Sequence, residues 1–156
     1  MNIRYVANLD GVSWERISEI FNAVGWGRRN PTNLQQAFQK STCVRIAYDN
    51  EKIVGFGRTV DDGQYYALIV DLLVDPEYKG KGIGTTILRG LRDDVDGYVF
   101  ASLTSAIGKE AFYQKQGWKK QSSAYFWPQS KKQEELYSSI NEQGDAADIG
   151  KDKPGR

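Results

Sequence analysis

A glycine-rich stretch at residues 75–86, DPEYKGKGIGTT, is the part of the chain with the clearest capacity to bind a ligand. Its glycines fall at positions 80, 82 and 84, directly before a segment of helical periodicity. Glycines allow a tight turn, and such a turn leaves several amide N–H groups pointing outward at the partially positive start of a helix. This arrangement predicts a phosphate-binding cradle made of backbone donors.

The spacing of the glycines argues against two familiar nucleotide-binding loops. A Walker loop requires GxxxxGK[ST], but the sixth position counted from Gly80 is Thr85. A dinucleotide fingerprint requires GxGxxG, whereas the glycines here follow the pattern GxGxG. The remaining alternatives are a cradle for another phosphate-bearing molecule and an ordinary tight turn that caps a helix.

The composition removes several other classes of chemistry. The chain has no histidine and one cysteine, Cys43, so histidine-based triads, metal sites that need histidine and clusters of thiolates are impossible. A net charge of +1 offers no field that would attract nucleic acid or an anionic membrane, and neither is expected as a partner. No apolar run approaches membrane-spanning length and no signal peptide is visible, so we expect a cytoplasmic protein.

The elements that must position the cradle follow from periodicity. We predict a strand near the start, helices in DGVSWERISEIFNAVGW and TNLQQAFQKS, and two hairpin strands in CVRIAYD and KIVGFGRTV. The run YYALIVDLLVD predicts a central strand covered on both faces, with the glycine stretch between it and the next helix. A strand in GYVFASLTS, a helix in GKEAFYQKQGW and a last strand in KKQSSAYFWP complete a domain over residues 1–128. Residues 129–156 form a polar extension that is partly helical or disordered.

Two motifs resemble those of the GNAT superfamily of acetyl-CoA-dependent N-acetyltransferases. Lys79, Gly82 and Gly84 fall on the superfamily's loop signature [RQ]xxGx[GA], with lysine as a departure at the first place. About 30 residues on, AFYQKQGW resembles its AxxFYxxxGF pattern and places Tyr113 on the tyrosine of that pattern. The resemblance covers about residues 2–127, and VGWGRR, KIVGFGRTVDD and AYFWP are similar to the branch of chloroplast aralkylamine (serotonin) and protein N-acetyltransferases and bacterial relatives.

The resemblance implies a mixed α/β (α+β) fold with a bent central sheet of about six to seven strands and helices on both faces. It implies transfer of acetyl from acetyl-CoA to a primary amine by direct attack, without a metal. Tyr113 would protonate the departing CoA thiolate, because a phenol is protonated at neutral pH. An asparagine that touches the cofactor in such proteins is Ile107 here, so that contact is not assigned. The remaining implied cofactor-binding residues are Leu72, Leu73, Val74, Lys79, Gly80, Lys81, Gly82, Ile83, Gly84 and Thr85.

Asp71 is the candidate for a general base. A carboxylate inside an otherwise apolar strand is costly to bury without a partner or a purpose. The alternative is a structural ion pair with Arg58 on the neighbouring strand, and the sequence does not choose between the two.

Aromatic residues are the candidates for binding the acceptor amine. Trp26, Tyr125 and Trp127 fall where such enzymes form the acceptor pocket, although aromatic residues more often fill a core. The acceptor is either a small aralkylamine or a protein amine, and a homodimer is among the assemblies we consider. The rival functions are an aminoglycoside-type antibiotic acetyltransferase and a non-catalytic acyl-CoA-binding module.

Overall fold

A computed structural model describes residues 1–138. The chain divides into two compact units, Met1–Thr104 and the part that starts at Ser105. The strands are β1 (Ile3–Val6), β2 (Val44–Asp49), β3 (Lys52–Asp61), β4 (Tyr66–Val74) and β5 (Phe100–Leu103). The helices are α1 (Trp14–Ala23), α2 (Pro31–Gln39), α3 (Ile83–Asp94), α4 (Glu110–Lys115) and α5 (Lys131–Tyr137), with a 3-10 turn at Pro76–Tyr78.

The strands form one mixed sheet in the order β1-β2-β3-β4-β5. The first four strands are antiparallel neighbours and β5 runs parallel to β4, which confirms the predicted hairpin of β2 and β3 and the central place of β4. Five strands are present over residues 1–138 rather than the six to seven expected. The prediction of a last strand in 119–128 is wrong, because that segment pairs with no strand in the described structure.

Helices α1 and α2 cover one face of the sheet. Ser13 and Asn30 begin them, each accepting a hydrogen bond from a backbone N–H of the first turn. Phe21 of α1 and Phe38 of α2 both pack on Phe56 of β3, with ring centroids 5.5 and 5.9 Å away. This aromatic cluster is the centre of the main apolar core.

Helix α3 covers the opposite face and lies unusually close to β3. A Cβ atom at Gly57 would stand 2.9 Å from Leu91 Cδ1 and 3.0 Å from Ile87 Cγ2, so only glycine fits there without displacement. Towards the end of the helix, Arg45 of β2 holds Asp94 through two N–O contacts of 2.5 and 2.7 Å. The helix is therefore held against the sheet from Ile87 to Asp94.

Strand β4 contains a bulge at its middle. Pairing with β3 steps from Phe56↔Leu73 to Arg58↔Val70, so β4 has one residue more than its partner over this interval. Asp71 lies in the bulge and has a left-handed backbone, with φ +53°. The expectation that β4 is covered on both faces is wrong, since Tyr66 and Leu68 are exposed.

Candidate functional site

The predicted cradle is an open turn at the start of α3. Gly80 and Gly82 have φ of +75° and +79°, a left-handed conformation that residues other than glycine rarely adopt. A Cβ atom at either position would meet nothing within 4 Å, so the space in front of the turn is clear. Gly82 is the N-cap of α3 and Ile83 its first helical residue. The glycines therefore serve the backbone shape of the turn.

Backbone donors face this open space. The Gly82 carbonyl accepts hydrogen bonds from the amide and the hydroxyl of Thr86, both at 3.1 Å, which closes the first turn of α3. Over residues 1–138, the amides of Gly82, Ile83 and Gly84 have no acceptor. Because α3 has 12 residues, its aligned peptide dipoles add partial positive charge at the same point. The arrangement is chemically suited to an anion.

A buried ion pair that the sequence reasoning missed holds the entrance to the turn. Asp75 is 5% exposed, pairs with the Arg16 guanidinium of α1, and accepts from the Glu77 amide at 2.9 Å. Its own amide donates to the Val54 carbonyl at 2.8 Å. Burial alone would raise the pKa of Asp75, but the Glu77 amide and Arg16 outweigh it and hold that pKa below its ordinary value. The chain thus enters the turn from a fixed point.

The end of β4 offers a second row of backbone groups beside the turn. Leu73 and Val74 pair with β3 on one side, and the side chain of Leu73 is part of the apolar core. On the other side, β5 pairs with β4 only from Tyr66 to Ile69. In the part of the chain that the structure describes, the β5-facing edge of β4 beyond Ile69 therefore has no partner strand, and Leu72 lies on that edge.

Asp71 forms the ion pair that the sequence allowed. Its Oδ2 atom lies 2.8 Å from Arg58 Nε, and both side chains are largely buried. Arg58 also donates to Ser41 Oγ at 3.3 Å and lies over the Phe38 ring. A structural role for Asp71 is thus observed, and its role as a base stays a prediction.

Tyr113 lies in the second unit, on the short helix α4. Its ring packs edge to face on Phe112, with centroids 5.0 Å apart, and its carbonyl accepts from the amides of Gln116 and Trp118. Burial raises the pKa of the Tyr113 phenol, so the group keeps its proton at neutral pH. A protonated phenol is the form that the predicted acid role needs.

The predicted acceptor residues differ in their surroundings. Trp26, in the first unit, is 47% exposed and packs on Phe21 at 6.1 Å between centroids. Tyr125 and Trp127, in the second unit, are 96% and 85% exposed. The loop, the end of β4 and Asp71 share the first unit, while a common site with Tyr113, Tyr125 and Trp127 stays a prediction.

Neither a membrane-spanning helix nor a cluster of metal ligands is found over the described residues. None of the helices within residues 1–138 is both long and apolar enough to cross a lipid bilayer. Over the same residues, no group of three or more acidic or cysteine side chains is arranged to hold a metal ion.

Comparison with known proteins agrees with this geometry. The family model described as "Acetyltransferase (GNAT) domain" matches residues 40–120. GCN5-related N-acetyltransferase 1, chloroplastic, of Arabidopsis thaliana is 28% identical over 88 residues, which cover 55% of this chain and 45% of that protein. Serotonin N-acetyltransferase 2, chloroplastic, of Oryza sativa subsp. japonica is 29% identical over 91 residues, which cover 56% and 46%. The chain thus spans about half the length of these relatives.

The fold is shared with solved structures. A GNAT-family acetyltransferase from Streptococcus pneumoniae superposes with a TM-score of 0.68 at 23% identity, covering 83% of this chain and 100% of that one. With the family model matching more than half of its residues, the chain belongs to the GNAT acetyltransferase family. This match confirms the predicted resemblance to the GNAT superfamily.

Proposed function

We propose that this protein transfers the acetyl group of acetyl-CoA to a primary amine, either a small aralkylamine or a protein amine. The observation that carries the proposal is the open turn of Gly80–Gly84, whose free amides adjoin the unpaired edge of β4. The pyrophosphate of CoA is an anion of the size such a turn accommodates. The pantetheine arm, an extended chain with amide groups, suits the open strand edge.

The residues present fit this co-substrate. Amides from Gly80 to Thr85 would hold the phosphates, and the backbone of Leu72, Leu73 and Val74 would hold the arm. Lys79 and Lys81 are exposed and add positive charge near the turn. Acetyl-CoA supplies the activated acyl group, and the protein's contribution is to orient the thioester towards the amine.

Proton transfer falls to two further residues. Tyr113 would give its proton to the CoA thiolate as the thioester breaks, so that the leaving group departs as a neutral thiol. Asp71 or a water chain would accept the proton that the attacking amine loses. The Asp71–Arg58 ion pair favours the water chain, because the arginine already holds that carboxylate.

An exposed aromatic surface supports the aralkylamine as the acceptor. Trp26 offers an exposed aromatic surface in the first unit, which suits an arylalkylamine. The serotonin N-acetyltransferase among the relatives is consistent with this choice, and protein amines remain the alternative acceptor. We also propose a cytoplasmic location, because a chain whose one cysteine is Cys43 forms no internal disulfide and fits a reducing compartment.

Binding of CoA tests the cradle directly. A Gly82→Glu change puts a side chain and a negative charge into the open space, and calorimetry should show loss of CoA binding by at least about a hundredfold. Gly97→Glu is the matched control, since Gly97 also has a positive φ and open surroundings but lies beyond the other end of α3. Equal affinity in the two variants would contradict the assignment of the cradle.

Acetyl transfer to a panel of amines tests the reaction and its acceptor. The panel should contain tryptamine, phenylethylamine, a polyamine, an aminoglycoside and lysine-containing peptides. Preference for the first two supports a small aralkylamine, and preference for the peptides supports a protein amine. Transfer to the aminoglycoside alone would replace the proposal with an antibiotic acetyltransferase, and CoA binding without transfer would indicate a binding module.

A further inference from the structure

Tyr78 connects the cradle to a strand that takes no part in it. It is the last residue of the 3-10 turn that leads from β4 towards the cradle. Its hydroxyl donates a hydrogen bond of 2.9 Å to Asp49 Oδ2, at the end of β2. One strand, β3, lies between β2, which carries the acceptor, and β4, which precedes the donor. The hydrogen bond therefore connects the turn that follows β4 to the end of the sheet where β2 leads into β3.

The ring of Tyr78 lies close to the ammonium groups of two lysines. The ammonium groups of Lys81 and Lys52 lie 4.9 and 5.3 Å from its centroid, distances at which a cation is attracted to an aromatic ring. Lys81 belongs to the cradle, between its two left-handed glycines. One side chain thus fixes the turn through its hydroxyl and restrains a cradle lysine through its ring.

The acceptor of the hydrogen bond, Asp49, has a backbone position that the neighbouring strands fix. Asp49 ends β2 in register with Ile3 of β1 and Lys52 of β3, so its backbone is held from both sides. The bond to Asp49 is the first cause of a raised pKa for the Tyr78 phenol, whose proton is thereby retained. A charged acceptor makes the bond stronger than one between neutral groups.

We propose that Tyr78 is a positioning residue that holds the amides of the cradle in their phosphate-binding arrangement before CoA arrives. This role rests on the proposed function of the cradle. Its physical basis is preorganisation: a loop already held in the bound conformation loses less conformational entropy on binding, so the dissociation constant is lower. The role concerns the nucleotide end of CoA and leaves the contacts of the pantetheine arm unchanged.

A graded series of variants separates the two parts of the side chain. Tyr78→Phe removes the hydroxyl and keeps the ring, and we expect the calorimetric Kd for CoA to rise roughly fivefold. Tyr78→Leu removes both, and the rise should reach roughly twentyfold. Tyr65→Phe is the matched control, because Tyr65 is an exposed tyrosine before β4, at the end remote from the cradle. The Kd of this variant for CoA should stay within about twofold of the wild-type value.

Two further measurements distinguish positioning from general stability. Pantetheine lacks the phosphates, so its Kd should stay within about twofold in every variant. Asp49→Ala should match Tyr78→Phe for CoA, the double variant should be no worse than either single one, and Asp49→Asn should restore part of the loss because it keeps an acceptor oxygen.

The results of these binding experiments distinguish the role of Tyr78 from the proposed function of the cradle. Wild-type protein that binds no CoA would overturn the function of the cradle and this role with it. Wild-type binding that Tyr78→Phe leaves intact, or an equal loss for pantetheine and CoA, would overturn the role of Tyr78 alone.

Discussion

The cradle of residues 75–86 and the segment of residues 105–138 obtain their order in different ways. The cradle is short, polar and glycine-rich, yet side chains from α1, β2 and β3 hold it through Asp75 and Tyr78. In the second segment, α4 and α5 have six and seven residues, and neither contains a fully buried one. Helices of that length have little stability of their own. Tertiary contacts can therefore hold a short glycine-rich turn in place, whereas short helices without buried residues have fewer such contacts.

Removal of the cradle's buried anchor should have the largest effect. In Asp75→Ala, the partly buried Arg16 guanidinium loses its buried carboxylate partner and keeps the more exposed one of Glu19, so the free energy of unfolding should fall by about 3 kcal/mol. Urea denaturation measures this change. Asp93→Ala is the control, because it removes the same charge at a 61% exposed carboxylate and should change stability by less than about 0.5 kcal/mol.

The same ion pair should appear in the acid dependence of stability. The pKa of Asp75 is lowered on folding, so near pH 4 the native state binds fewer protons than the unfolded state. The stability contributed by Asp75 is present above the unfolded pKa of about 4 and is lost as the pH falls through the lower, folded value. Wild-type stability should therefore fall more steeply than that of Asp75→Ala below pH of about 4, and parallel curves would contradict the anchor.

A change of one atom in the second segment should reduce turnover and leave the fold intact. Tyr113→Phe keeps the ring contact with Phe112 and removes the proposed acid, so kcat should fall roughly ten- to a hundredfold. The Kd for acetyl-CoA should stay within about twofold. Tyr137→Phe, which removes a hydroxyl from another tyrosine of this segment, serves as the control. Full activity of Tyr113→Phe would remove the acid role.

Shortening the chain should have the smallest effect. Ending it after Gln129 removes α5, which has no buried residue, and the midpoint of thermal unfolding should move by less than about 2 °C. The shortened protein should still bind CoA. Loss of a cooperative transition would show that the predicted domain boundary at residue 128 is misplaced.

Local signals predicted most of the elements. The predicted first helix is present as α1, the glycines at 80 and 82 adopt the left-handed turn, and the helical part of the polar extension is present as α5. Each of these depends on neighbours within a few residues, which the sequence displays directly. The remainder of the polar extension, residues 139–156, lies outside the described residues.

Features that depend on distant partners could not be predicted in the same way. The segment 119–128 is aromatic and resembles a strand, but a strand needs an edge to pair with, and composition does not supply one. Asp49 and Tyr78 are 29 residues apart, and nothing local to either indicates their hydrogen bond. The contact of Arg16 with Asp75 spans 59 residues and was missed for the same reason.

The bulge at Asp71 changes the phase of β4. Before it, Ile69 lies opposite Thr59, which by alternation shares the α3 face of β3 with Gly57. After it, Leu73 lies opposite Phe56, within the core beneath α1 and α2. Odd-numbered residues of one strand therefore supply two different cores, which explains why its sequence resembles an unbroken apolar run. Deletion of a single residue at this point would exchange the two faces for every residue that follows, up to the entrance of the cradle.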